Sequence, residues 1–91
     1  MRTVSADDLN RVLTPAALVD ALHEAFRADI EVPPRHVHMI PQPSGNEAKL
    51  LLMPAWTNSG VRLSGCKVVS VYPDNAKLGK PSVYGSYLLM S

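Results

Sequence analysis

The chain has 91 residues, of which 46% are hydrophobic and 19% are charged, so it has room for one small domain and the composition of a chain that folds. Nine Lys and Arg against eight Asp and Glu give a net charge of +1, and these dispersed basic residues argue against nucleic acid as a partner. The single cysteine excludes a disulfide within the chain and favours a reducing compartment.

The start of the chain gives no targeting or membrane signal. Its first eight residues lack the apolar stretch of a secretory signal, and the longest strongly apolar run, from Leu50 to Ala55, is too short to span a membrane. We therefore expect a cytoplasmic protein with no membrane partner.

Two helices are predicted at the N-terminus. Ser5 with Asp8 three positions later has the pattern of a capping box, and apolar residues on one side of a short helix follow it. Thr14 before Pro15 is a second N-cap, after which apolar residues recur at helical spacing as far as Ile30. The Pro-Pro pair beyond ends this helix, because proline rings clash with a preceding helical turn.

The rest of the chain is predicted to be β structure. No helical period remains after the prolines, and short extended segments alternate with turn residues. The predicted strands are Arg35 to Ile40, Lys49 to Trp56, Cys66 to Tyr72 and Ser82 to Met90. The predicted fold class is therefore α+β: two N-terminal helices, packed on one face or end, followed by an antiparallel β-meander of about four strands.

The last predicted strand has no feature that would protect an edge. The segment Val83 to Met90 contains no proline or charged residue, and it ends one residue before the chain does. An apolar strand at a sheet edge favours pairing with another chain. We therefore expect either a chain that has been cut short or a sheet that a partner subunit completes, giving a homo-oligomer through sheet pairing.

Two basic residues are candidates for a binding site. Strand alternation places Lys67 on the same face as Val69, where an ammonium group needs a counter-charge, a ligand or a route to water. Arg35 opens the first predicted strand, and guanidinium groups often hold carboxylates through two parallel hydrogen bonds. The alternatives are a lysine whose stem reaches to solvent and an arginine solvated at a strand end.

Metal and dinucleotide sites are not predicted. His36 and His38 share a strand face, but no third ligand accompanies them at a plausible spacing. The five glycines never form the G-x-G-x-x-G pattern of a phosphate-binding loop. We therefore expect no metal and no cofactor-binding residue in this chain.

Four short motifs, taken together, resemble the N-terminal region of the ornithine cyclodeaminase/mu-crystallin family. They are PPR at 33–35, LLMPA at 51–55, GxKVVSxxPxN at 65–75 and GxPS at 79–82. They cover the β part of the chain in order and at the family's spacing, and the two preceding helices also stand where the family has helices.

This resemblance implies a substrate site. The family residues that match Arg35 and Lys67 bind the carboxylate of an amino-acid substrate and line the site, and the one that matches Met53 lies beside it. Ser82 falls where several members have a threonine near the substrate. The resemblance thus makes Arg35, Met53, Lys67 and Ser82 the candidate substrate-binding residues, and Lys67 the candidate catalytic residue.

The resemblance also implies what the whole protein does. Full-length members pair their antiparallel sheets as dimers, bind NAD or NADP in a separate Rossmann domain, and move a hydride at the α-carbon of small amino or imino acids. Residues 1–91 would then be a partial substrate-binding and dimerisation domain, without the Rossmann domain and inactive alone. The alternatives are a self-standing oligomeric β module that binds a small carboxylate, or a purely structural remnant.

Overall fold

Two helices and a short 3-10 helix accompany one five-stranded antiparallel sheet in the computed structural model, which describes all 91 residues. The elements in chain order are α1 (Ala6–Val12), α2 (Pro15–Arg27), β1 (Ile30–Glu31), β2 (His36–Ile40), β3 (Ala48–Thr57), β4 (Ser64–Val71), the 3-10 helix (Pro73–Leu78) and β5 (Val83–Met90). The predicted α+β class and the order of helices before strands are confirmed.

Both helices begin at the predicted caps. The Ser5 hydroxyl accepts a hydrogen bond from the Asp8 backbone N–H at 3.1 Å, and the Asp8 carboxylate accepts one from the Ser5 N–H at 3.4 Å. Hydrogen bonding of the Ser5 side chain and of the Ser5 backbone N–H to the carboxylate, together with the neighbouring Arg11, holds the pKa of Asp8 below its ordinary value. Thr14 likewise accepts from the N–H of Ala17 at 3.2 Å and so starts α2.

The prediction that helical spacing extends to Ile30 is wrong at its end. Helix α2 stops at Arg27, and Ile30 and Glu31 form the short strand β1 beside Thr57 and Trp56. The Asn58 N–H also donates to the carbonyl of Asp29 at 2.9 Å. The backbone groups of this segment therefore form hydrogen bonds with β3 and its turn instead of extending the helix.

Strands β1 and β2 lie along the same edge of β3 with a break between them. Glu31 pairs with Trp56 and His36 with Leu52, so four residues on the edge, 32–35, face three on β3, 53–55. One extra residue on one of two paired strands is the defining feature of a β-bulge. The Pro-Pro pair lies in the bulge, and Pro54 lies opposite it, so these prolines, which have no N–H, stand where the edge ladder is already interrupted.

The remaining strands follow the predicted meander. Strand β4 lies between β3 and β5 with continuous antiparallel pairing, from Lys49 with Val71 to Trp56 with Ser64 on one side. The expectation that only strands and turns follow residue 35 is wrong at Pro73–Leu78, which forms a 3-10 helix. Its proline start suits a first helical turn, and Gly79, with φ of 70°, ends it in the left-handed conformation.

The molecule has almost no core. The buried residues are Ala48, Gly65 and Val69 alone, and no residue of either α-helix is buried. The expected packing of the helices on the sheet is therefore not observed. Phe26, at the end of α2, is 85% exposed.

The exposed area is large for a chain of this mass. A compact protein of 9.9 kDa exposes about 5,200 Å², whereas this chain exposes 7411 Å². Its radius of gyration is 16.2 Å, against about 12 Å for a compact chain of this length.

None of the helices has the length and apolarity to cross a membrane.

Candidate functional site

The sheet has two faces with different chemistry. Cross-strand partners share a face, and side chains alternate between faces along each strand. The face that carries Lys67, called the Lys67 face below, also carries Met53 and Tyr87, the cross-strand partners of Lys67 on β3 and β5. As predicted, Val69 and Val71 lie on this face with Lys67.

Arg35 falls at the end of the same row. The β2–β3 ladder ends at His36 with Leu52, and Arg35 is the next residue, at the start of the bulge and beside the position that faces Met53. Arg35 also precedes Val37, a Lys67-face residue, by two positions. Met53, Lys67 and Tyr87 therefore form one row across three strands, and Arg35 extends this row at its Met53 end, just outside the ladder. Neighbouring strands are about 4.8 Å apart, so the backbones of Arg35 and Lys67 are about 10 Å apart.

The row carries positive charge without a counter-charge. The two ion pairs in the structure, Arg11 with Asp8 and Lys77 with Asp74, involve neither Arg35 nor Lys67. No strand residue on the Lys67 face is acidic, whereas Lys49 adds a further ammonium group there. Arg35 and Lys67 are both exposed. Two long cationic side chains in one row, free of carboxylates, can reach the same small anion.

Tyr87 connects Lys67 with a shallow apolar depression. The Tyr87 ring lies over Gly65, where a Cβ would meet the Tyr87 Oη at only 2.6 Å. Beside this contact is a depression of about 170 Å³, lined on the Lys67 face by Ile30, Ala55, Thr57, Gly65, Tyr87 and Leu89. None of its nine lining residues carries a charge. Tyr87 and this depression were missed in the sequence, although the alternation of the last strand already placed Tyr87 on one face with Leu89.

Ser82 does not join this row. Its carbonyl accepts a hydrogen bond from the Tyr72 N–H at 2.7 Å, just beyond the last ladder pair, Val71 with Val83. Tyr72 is five positions along the chain from Lys67, which corresponds to about 16 Å in a strand. Strand alternation also points Ser82 to the other face. The structure therefore brings Arg35, Met53 and Lys67 together and leaves Ser82 apart.

The two histidines lie on the face opposite Lys67. His36 and His38 pair with Leu52 and Leu50, respectively, and both are exposed. No group of three or more His, Cys, Asp or Glu side chains stands close enough to hold a metal ion.

Several residues of the family-like motifs hold turns. The Asn75 side chain donates to the carbonyl of Pro81 at 3.1 Å, and its backbone carbonyl accepts from Lys80 at 3.0 Å. Asp74 accepts from the Asn46 amide at 2.9 Å and from the Ser44 hydroxyl, which ties the 3-10 helix to the β2–β3 turn. These two bonds hold the pKa of Asp74 below its ordinary value, with Asn46 the larger cause.

The residues of this chain do not fit a dinucleotide. A Rossmann site needs a strand, a glycine-rich turn and a helix whose N-terminus meets the pyrophosphate. Here all strand pairs are antiparallel, and the positive-φ glycines, Gly45, Gly60 and Gly79, stand singly in separate turns. We therefore assign no residue to NAD or NADP.

Comparison with known proteins gives partial matches. The chain is 30% identical over 78 residues to the Delta(1)-pyrroline-2-carboxylate reductase of Colwellia psychrerythraea, covering 85% of this chain and 24% of that protein. That enzyme belongs to the ornithine cyclodeaminase/mu-crystallin family. This chain is similar to a reductase of that family.

Two other relatives match over nearly the whole chain. An uncharacterised protein of Schizosaccharomyces pombe is 34% identical over 90 residues, covering 94% of this chain and 26% of the relative. Protein SAR DEFICIENT 4 of Arabidopsis thaliana is 36% identical over 95 residues, covering 97% of this chain and 27% of that protein. The chain thus spans about a quarter of the length of these relatives. No family model matches it.

Proposed function

We propose that this chain is the substrate-binding and dimerisation part of a protein of the ornithine cyclodeaminase/mu-crystallin type, and that it binds the carboxylate of a small amino or imino acid through Arg35 and Lys67. The observation that carries the proposal is the row Arg35, Met53, Lys67 and Tyr87, which holds two cationic side chains and no carboxylate. The similarity to a pyrroline-carboxylate reductase supports it, because the name of that enzyme specifies a cyclic imino-acid carboxylate.

In this proposal each residue of the row has a distinct part. The guanidinium fork of Arg35 donates two parallel hydrogen bonds to the carboxylate, and the Lys67 ammonium group approaches it from the neighbouring strand. Lys67 also lies close enough to act on groups attached to the α-carbon, which makes it the candidate catalytic residue. Met53, between the two, gives the substrate an apolar surface. The whole protein would oxidise or reduce the α-carbon with NAD or NADP bound in another part of it.

The proposal includes a partner of the same kind. All eight residues of β5 are exposed, and β5 is the strand at one end of the sheet order. We infer that a second copy pairs with the β5 edge.

The decisive experiment is ligand binding to charge-neutral variants. Nuclear magnetic resonance titration of the chain with L-proline, whose carboxylate stands beside a five-membered ring, should give a binding curve that Lys67→Met weakens by about tenfold or more, since a charged hydrogen bond contributes about 1.5–3 kcal/mol. Lys49→Met is the matched control, because Lys49 is also exposed and on the same face but pairs with Val71, away from the row.

The outcomes separate the hypotheses. Loss of binding in Lys67→Met but not in Lys49→Met supports the proposed site. Equal weakening by both substitutions would reveal only a general attraction to a positive face, and the proposal would then fail. Binding that neither substitution alters would favour the structural remnant, in which Arg35 and Lys67 are solvated and idle.

A further inference from the structure

We propose that the apolar depression beside Tyr87 receives the side chain of the bound amino or imino acid, and that it selects uncharged aliphatic side chains over cationic ones. This inference rests on the proposed function, because it needs the carboxylate to be held at Lys67. It adds the class of side chain and the residues that select it.

The depression lies at the right place for a side chain. Lys67 and Tyr87 are cross-strand partners, and the Tyr87 ring extends from that pair over Gly65, which is in the next row on the same face. A ligand whose carboxylate contacts Lys67 therefore has the ring edge of Tyr87 and then the depression beside it. Gly65 is required for this arrangement, because any Cβ at this position would overlap the ring.

The size of the depression limits what it can hold. Its volume of about 170 Å³ is that of five or six water molecules at about 30 Å³ each. A short alkyl chain or a five-membered ring fits this space. A drug-sized ligand does not, because such ligands occupy pockets of about 300 Å³ or more.

The lining offers no counter-charge to a cationic side chain. The hydroxyl of Thr57 already donates to the carbonyl of Val61 at 2.7 Å and accepts from the N–H of Leu63 at 2.9 Å. The carboxylate of Asp29 is near this end of the sheet but is not part of the lining, and it accepts from the Asn58 amide at 3.1 Å. An ammonium group would therefore lose part of its hydration without gaining a counter-charge.

The test compares two ligands that differ only in that charge. L-norvaline and L-ornithine have the same three-carbon side chain, and ornithine adds a terminal ammonium group. Titration of the wild-type chain followed by nuclear magnetic resonance should show norvaline binding at least about fivefold tighter, since burying an unpaired charge is costly. Leu89→Asp places a carboxylate at the depression. It should change the ratio of the norvaline and ornithine affinities about threefold in favour of ornithine, as expected for a partly exposed ion pair.

Leu88→Asp is the matched control. Leu88 is the neighbouring residue on the same strand and is 51% exposed, against 65% for Leu89, but its side chain is on the opposite face. It adds the same net charge to the same strand. The ratio should therefore stay at the wild-type value in Leu88→Asp, and an equal change in both variants would overturn the proposal.

A second pair of variants covers the case in which Leu89→Asp disturbs the strand. Tyr87→Ala removes the ring that borders the depression and should weaken norvaline binding severalfold, and L-alanine binding much less, because the methyl side chain of alanine is too short to fill the depression. Tyr87→Phe keeps the ring and should behave as wild type. If ornithine binds as tightly as norvaline, and Lys67→Met weakens both, the selection proposed here is wrong and the carboxylate site stands. If Lys67→Met weakens neither, both proposals fail.

Discussion

Replacement of Thr57 by valine should loosen the turn between β3 and β4 by a predictable amount. Thr57 is half-buried at the end of β3, and its hydroxyl bridges two backbone groups of the turn, the carbonyl of Val61 at 2.7 Å and the N–H of Leu63 at 2.9 Å. Valine has nearly the same shape but can make neither bond. The substitution therefore isolates the two hydrogen bonds from packing.

The magnitude follows from those two bonds. Each contributes about 0.5–1.5 kcal/mol net. Water can reach part of this turn, where Val61 is 76% exposed, so we expect a total loss near the lower half of the sum, about 1–2 kcal/mol in the free energy of unfolding. The bond from the Leu63 N–H accounts for the greater part of the lost free energy, because this N–H loses its side-chain acceptor in a partly buried place.

Urea unfolding followed by the fluorescence of Trp56, the residue before Thr57 and the only tryptophan, measures this loss. With a slope of about 1 kcal/mol per molar urea, the midpoint should fall by about 1–2 M. Protein concentration must be equal in all samples, since association would add to the apparent stability. Thr3→Val is the control, because Thr3 is exposed and makes no side-chain hydrogen bond. A midpoint that moves no more in Thr57→Val than in Thr3→Val would refute this reasoning.

Two further predictions concern pH and association. The pKa of Asp74 is lower in the folded chain than its ordinary value of 3.8. The contribution of Asp74 to stability is therefore complete above that value and is lost as the pH falls through the folded pKa. Asp74→Asn should reduce the dependence of the urea midpoint on pH in the acid range, and an unchanged dependence would contradict this prediction. In sedimentation at micromolar concentration the chain should have the mass of two copies, and a monomer at every concentration would rule out pairing at β5.

Four of the five strands were predictable from the sequence to within two residues, and the short strand β1 was missed. Period-two alternation and turn residues such as Asn58 and Gly60 act locally, and the structure keeps them. The end of α2 was not predictable in the same way, because Ile30 satisfies the helical spacing and only pairing with Thr57 decides against it. The 3-10 helix at Pro73–Leu78 was missed for a related reason, since six residues are too few to show a period.

The candidate site was predictable in part. Alternation placed Lys67 and Val69 on one face, but the row that joins Lys67 to Arg35 depends on the register across β3, which no local pattern gives. The bulge at residues 32–35 shifts that register by one position. The expected closeness of Ser82 came from resemblance alone, and the strand register leaves it some 16 Å along the sheet.

The interrupted edge of the sheet has a consequence for how copies of the chain can assemble. Strand β2 has only five residues and lies between Pro34 and Pro41, whereas β5 offers eight residues without a proline or a charge. A sheet with two open edges could add copies one after another into a fibre. Here one edge is broken by the bulge and flanked by prolines, so the proposed pairing through β5 would use the same edge of both copies, and growth would end at two.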